Sequence, residues 1–368
     1  MRTLRAGDWV EVRSKEEILA TLGADGLLDR MPFMPEMLAY CGQRFRVSAV
    51  AHKTCDTVTK TGGRRVNSAV HLEDLRYNGR AHGGCQAECR IYWKEAWLRP
   101  VDVDRVRPAA AAPSLASGRT EAELHEAVYA EGSAGDSDPV YVCQATRLPQ
   151  YTSPLFWRDA RQYVNDVTTR NHPPARVLRV LFLAGVEKLQ HLPFGYRVFK
   201  TTYDALHRLL TGRQSPYVAG TIKKGESTPH GTLDLEPGDR VRVKSLESIA
   251  RTLNADNNKN RGLSFDPEMA PYSGHTFRVR QRVVQIIDER TGKMIRMKNP
   301  CITLEGAVCG AEYSACRLLC PRGITSYWRE LWLERCSPAF AMNEASDPHG
   351  GEPSGVRAVV PSKPREAP

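Results

Sequence analysis

Two stretches of the chain alternate apolar and polar residues in the same way. Residues 7–13, GDWVEVR, set Val10 and Val12 on one face of a strand, with Trp9 and Glu11 on the other; residues 238–244, GDRVRVK, repeat the pattern. After the first, Ser14-Lys-Glu-Glu17 forms a capping box ahead of Ile18, Leu19 and Leu22, which predicts a short helix. A connection rich in Gly, Pro and Met leads to a strand over 44–53. Gly62-Gly63 then predicts a hairpin turn into a returning strand, and CRIYWKEAWLRPV (89–101) closes the unit.

The second stretch opens the same series. Ser245 and Ile249 fall in step with Ser14 and Ile18. After a one-residue slip, Pro267-Glu268-Met269 matches Pro35-Glu36-Met37, and Phe277-Arg278-Val279 matches Phe45-Arg46-Val47. The closing words are YWKEAWL (92–98) and YWRELWL (327–333). Ordered identity over a whole domain reads as an internal duplication. Two copies are too few for a solenoid, so the expected fold is mainly β with a helical insert (α+β), built on a tandem pair of small β-barrels.

The units are 1–101 and 231–336. Between them, 102–139 reads as an Ala/Pro/Ser/Gly linker with a brief acidic helix (121–129), and 140–230 as a helical insert. RVLRVLFLAGVEKLQ and TTYDALHRLLTG are its amphipathic helices, the second ending at Gly212. The tail, 337–368, reads as disordered.

Composition adds less. The net charge of +10 favours acidic partners, but no run of five or six like charges marks a nucleic-acid tail. MRTLRAGDW lacks the apolar core of a signal peptide, and the apolar run from Val177 to Val186 is broken by Arg179. A cytoplasmic protein without membrane contact is expected. In a reducing compartment, its ten cysteines point to metal ligation rather than disulfides.

In the second unit Cys301, Cys309, Cys316 and Cys320 stand at x7, x6 and x3 intervals. Four soft thiolates suit Zn²⁺ or, alternatively, an iron–sulfur cluster. In the first unit Cys85 and Cys89 repeat the Cys316/Cys320 pair, while Tyr77 stands for Cys309 and Ala69 for Cys301. Cys55 and His82 are the candidate replacements, giving a Cys₃His set, with His52 and His71 as other nitrogen donors. A closed shell would be structural, and Tyr77 in place of a cysteine could instead leave an open, catalytic position. Trp93, Trp97, Trp328 and Trp332 beside basic residues are candidates to stack bases or clasp a peptide, with core packing as the plainer reading. Glu73, Glu95, Glu305 and Glu330 are repeated carboxylates that read as solvated. Cys143 is a lone thiol, and no nucleophile elbow, Walker loop or dinucleotide fingerprint is present.

The GDxVxV strand, long loop and GxxFRV strand of each unit resemble SH3-like barrels, a class also found in ribosomal, translation-factor and nitrile hydratase β-subunit domains. The words HKTCDT, GGCQAEC, YVCQAT, NPCITLEG and CPRGITSYWRELWLE resemble a two-copy bacterial family, which implies the domain and no activity. The expected function is a non-catalytic, metal-stabilised binding protein that engages a protein, peptide or nucleic-acid partner. The alternative is an iron–sulfur or metal-dependent enzyme or redox partner.

Overall fold

The computed structural model describes residues 3–59, 62–73, 75–101, 120–189, 196–314 and 317–336. The expected linker start (102–119), the tail from 337 and Cys316 lie outside them. Among the described residues there is more strand than helix, arranged in several antiparallel sheets, and none of these sheets closes into a barrel.

In the first unit β1 (Trp9–Val12) leads to α1 (Lys15–Leu19), capped as its Ser-x-x-Glu box predicts: the Glu17 N–H donates to Ser14 Oγ, and the Ser14 N–H to Glu17 Oε2. A small hairpin, β2 (Leu27–Leu28) and β3 (Met31–Pro32), precedes β4 (Arg44–Val50), β5 (Lys53–Cys55), β6 (Gly63–Arg65), β7 (Ala69–Leu72), β8 (Trp93–Lys94) and β9 (Leu98–Pro100). The main sheet runs β8-β7-β4-β1-β9. Val10, Val12, Val47, Val70 and Leu72 supply its buried face, as their alternation requires.

The insert follows as α2 (Glu121–Glu126), α3 (Leu148–Tyr151), β10 (Ser153–Leu155), α4 (Arg161–Thr168), α5 (Pro174–Leu189) and α6 (Tyr196–Thr211), with Gly212 at φ +70 ending the last helix. It does not stand apart. Strand β10 extends the β5–β6 hairpin into a three-stranded sheet, and Leu124, Leu148 and Tyr151 join the first unit's core. Gln144 accepts from the Tyr92 N–H and donates to the Tyr92 carbonyl, so a side chain covers the edge beside β8.

The second unit comprises β11 (Arg240–Val243), α7 (Leu246–Ala250), the small hairpin β12 (Lys259–Asn260) and β13 (Leu263–Ser264), β14 (Thr276–Ile287), β15 (Met294–Val308), β16 (Thr325–Trp328) and β17 (Leu333–Arg335). Its sheet runs β16-β15-β14-β11-β17, the first order repeated. Register repeats as well: Val10↔Phe45 becomes Val241↔Phe277, and Val70↔Trp93 becomes Ile302↔Trp328.

The closing strand departs from an unbroken alternation. A 3-10 turn (Glu95–Trp97, and again Glu330–Trp332) interrupts it and folds both tryptophans of each unit inward. Trp93, Trp97, Trp328 and Trp332 are each 0% exposed, so the four rings have no face left for a base or a peptide. Phe33 meets Trp93 and Trp97 edge-on, as Phe265 meets Trp328 and Trp332. Trp97 Nε1 donates to Thr21 and Trp332 Nε1 to Thr252.

Candidate functional site: a thiol seam between the two units

Each unit sends a hairpin into the cysteine loop of the other. From the second unit, the far end of β14–β15 reaches the first unit's loop. The Ile287 N–H donates to Cys85 Sγ at 3.3 Å, the Val284 N–H to Gln86 Oε1 at 2.8 Å, and Gln86 Nε2 to the Arg282 carbonyl at 3.0 Å. From the first unit, the β5–β6 hairpin reaches the second loop. Arg322 donates to the Cys55 carbonyl at 3.3 Å and to Thr57 Oγ1 at 2.6 Å, and its other amino group pairs with Glu289 at 2.9 Å.

A repeated carboxylate shapes both loops. Glu268 accepts from the backbone N–H groups of Glu312 and Tyr313 at 3.0 and 2.8 Å. Its counterpart Glu36 accepts from the Ala81 N–H at 2.8 Å and contacts His82 Nδ1 at 3.1 Å. Gly79 closes the first loop at φ +71, where a Cβ would lie 2.0 Å from the Cys85 carbonyl oxygen.

The expected ligands separate into three groups. Cys55 and Cys320 come together across the units, in a small buried cluster with Ala311, against which Cys309 and Ile324 pack. Hydrogen bonding from the Cys320 thiol pulls the Cys55 thiol down to about 6, helped by the Arg322 and Arg317 guanidiniums and opposed by burial. Cys320 is pushed well above the ordinary thiol range by the same bond and by burial. Burial also raises Cys309.

Cys85 and Cys89 line a cavity with Cys143, Tyr77, Ile287, Glu289 and Arg322; its room for water centres is about 30 Å³. That is enough for a water molecule and far below the ~300–1,000 Å³ of small-molecule sites. Burial raises Cys85 and Cys89 and pushes Cys143 up to about 11.

The remaining candidates stand elsewhere. Cys301 does not turn back to the loop: it sits opposite Val283 in the sheet, with Arg329 Nη1 3.4 Å from its sulfur. His82 is fully buried, with Nδ1 on Glu36 and Nε2 3.0 Å from the Val142 carbonyl, so neither ring nitrogen faces the loop cysteines as a free donor. His71 Nδ1 is likewise engaged, 2.8 Å from the Ile91 carbonyl, and burial holds its ring neutral. His52 contacts Asp166 and the Gln162 carbonyl. Among the described residues, no three of His, Cys, Asp or Glu are set to share one metal ion.

Three partners of the seam were not singled out from the sequence: Arg322, Lys53 and Asp166. Lys53 Nζ lies 2.6 Å from Asp166 in a buried pair that locks helix α4 to the hairpin. The one sequence signal for the loop-shaping carboxylates is the Pro-Glu-Met word that both units keep.

No protein-family model matches the chain, and no curated protein matches it. Among the described residues no helix is long and apolar enough to cross a membrane.

Proposed function

We propose that the chain is a non-catalytic binding protein whose docking surface is the outer face of α5. The inner face of this helix, through Val177 and Val180, packs on Tyr163 of α4 and on Leu318 and Leu319 of the second cysteine loop. The outward residues are Pro174, Ala175, Leu178, Phe182, Gly185 and Leu189, with no charge among them. Leu178 is 68% exposed, Phe182 51% and Leu189 43%. Positions 175, 178, 182, 185 and 189 alternate in steps of three and four, the a/d seam that one helix offers another.

The occupant this face fits is an amphipathic helix of a partner protein with acidic flanks. Arg176 and Arg179 lie along one side of the seam, where Glu312 takes up part of their charge (2.7 and 3.9 Å), and Lys188 stacks on Trp157 near its end. A second copy of the chain would bring basic flanks against basic flanks, which disfavours self-pairing. Nothing stands within 4 Å of a Cβ placed on Gly185, so an incoming backbone could approach closely. This is the helix-in-groove mode of recognition. Burial of the four closing-strand tryptophans supports moving the docking surface from the sheets to the insert.

The observation that carries the reading is the uncharged, exposed a/d stripe on α5. Its test is fluorescence anisotropy with a labelled amphipathic peptide bearing leucine at a and d and glutamate at the flanks. Saturable binding that weakens with salt and is lost in Phe182→Asp supports it. Equal binding of a lysine-flanked peptide, no binding of either, or a concentration-dependent dimer in sedimentation that Phe182→Asp abolishes would overturn it.

A further inference from the structure

We propose that Cys55 and Cys320 are a modification site, a dithiol that small hydroperoxides convert into a disulfide stapling the first unit's hairpin to the second unit's loop. The proposal is independent of the docking face. Three features carry it. The two cysteines share one buried cluster although they belong to different units. Their neighbours are unequal in a useful way: Arg322 donates to the backbone of Cys55 and its hairpin, and Arg317, paired with Asp266 at 2.6 Å, adds positive charge. Positive charge on the Cys55 side favours that sulfur as the attacking one and leaves Cys320 as the resolving one. The facing groups on the other elements are Lys53 with its Asp166 partner, Cys309, and Glu289.

The third feature is an internal control. At the other junction the hairpin position corresponding to Cys55 is Ile287, which lines a cavity with Cys89, the counterpart of Cys320. That junction lacks the crossing thiol, so oxidation can staple only one of the two.

The Cys55 thiolate attacks the terminal peroxide oxygen, the O–O bond breaks, and the alkoxide or hydroxide leaves and takes a proton from water. Cys55 is then a sulfenic acid. The Cys320 thiol attacks its sulfur, the S–O bond breaks, and water departs with the thiol proton. In sum, two thiols and one hydroperoxide give one disulfide, one alcohol or water, and one further water; the thiols lose two electrons and the peroxide gains them. With Cys55 4% and Cys320 8% exposed, the seam shuts out a bulky disulfide and leaves only small oxidants as reagents.

The test is peptide mapping by mass spectrometry, without reductant, of the full chain after hydrogen peroxide. A Cys55–Cys320 link that dithiothreitol reverses is expected, together with little oxidation by an equal dose of oxidised glutathione. Cys320→Ser should leave a sulfenic acid on Cys55 that dimedone traps, and Cys55→Ser should leave none on Cys320. The wild-type map stands even where a variant folds poorly. A pair that stays reduced under excess peroxide, whether shielded by a bound metal or otherwise, overturns the proposal. So does a disulfide mapped elsewhere, or equal oxidation by glutathione disulfide.

Discussion

The two junctions between the units are built from corresponding hairpins and differ in what meets at them. Where the second hairpin enters the first loop, Ile286, Ile287 and Met294 pack on the first unit's core, ringed by hydrogen bonds of the Gln86 and Gln285 side chains and by the Arg280–Glu88 ion pair. Where the first hairpin enters the second loop, the meeting groups are a thiol pair and the buried Arg322–Glu289 ion pair. Duplication fixed the frame, and substitutions within it, Cys55 against Ile287 among them, brought a thiol pair to one junction and an isoleucine to the other. The two hairpins also differ in shape. In the second unit β14 and β15 run long and continuous, whereas in the first the ladder breaks after Val50, and the hairpin turns off to pair with β10 of the insert.

That comparison can be tested from its strongest element downward. Trp97→Ala and Trp332→Ala should each cost about 3–5 kcal/mol in urea unfolding, since each removes a fully buried indole; clearly unequal costs would show that the two cores are not equivalent. The loop glycines should separate the units. Gly79→Ala, with positive φ and its Cβ against backbone, should cost about 3 kcal/mol, whereas Gly310→Ala, whose nearest neighbour is Glu268 Oε2 at 3.7 Å, should stay within about 0.5 kcal/mol.

Arg322→Met should destabilise by about 2–3 kcal/mol, because Glu289 keeps its charge in a three-quarters buried site without its partner. The same variant should raise the pH at which Cys55 reacts with iodoacetamide, as the guanidinium that favours its thiolate is removed. A smaller effect belongs to His172, which burial, then the nearby Arg176, hold down at about 4. Its folded value lies below the unfolded one of 6.5, so the unfolded chain binds the extra proton. Stability from this group is therefore complete above about 6.5 and falls as the pH drops towards 4. His172→Phe should flatten that limb in unfolding midpoints taken from pH 7 to 4.

Much of the frame was legible in the sequence because it rests on local rules. The valines of GDWVEV and GDRVRV had to face one way in a strand, Ser14 and Glu17 had to cap a helix, and Gly212 had to end one. Each depends on neighbours within a few residues. The repeat extended these readings to the strand order of the second unit. The closing strand was less legible: unbroken alternation sets Trp93 and Trp97 on one face and Tyr92 on the other, whereas the structure, with its 3-10 turn, buries all three.

The candidate site was legible only as an inventory of thiols. Alignment of the two units paired Cys55 with Ile287 and so assigned it to its own unit's loop, since nothing in the spacing says that a hairpin will cross. Cys301 shows the same limit: its place opposite Val283 and beside Arg329 follows from the register of β14 on β15, not from its distance along the chain to Cys309. Sequence by itself determined the elements, the duplication and the chemistry available, because those are set by residue type and short-range period. Tertiary structure decided which sulfurs meet and which helix face stays exposed among the described residues, because both follow from how finished elements dock on one another, through contacts between residues far apart in the chain.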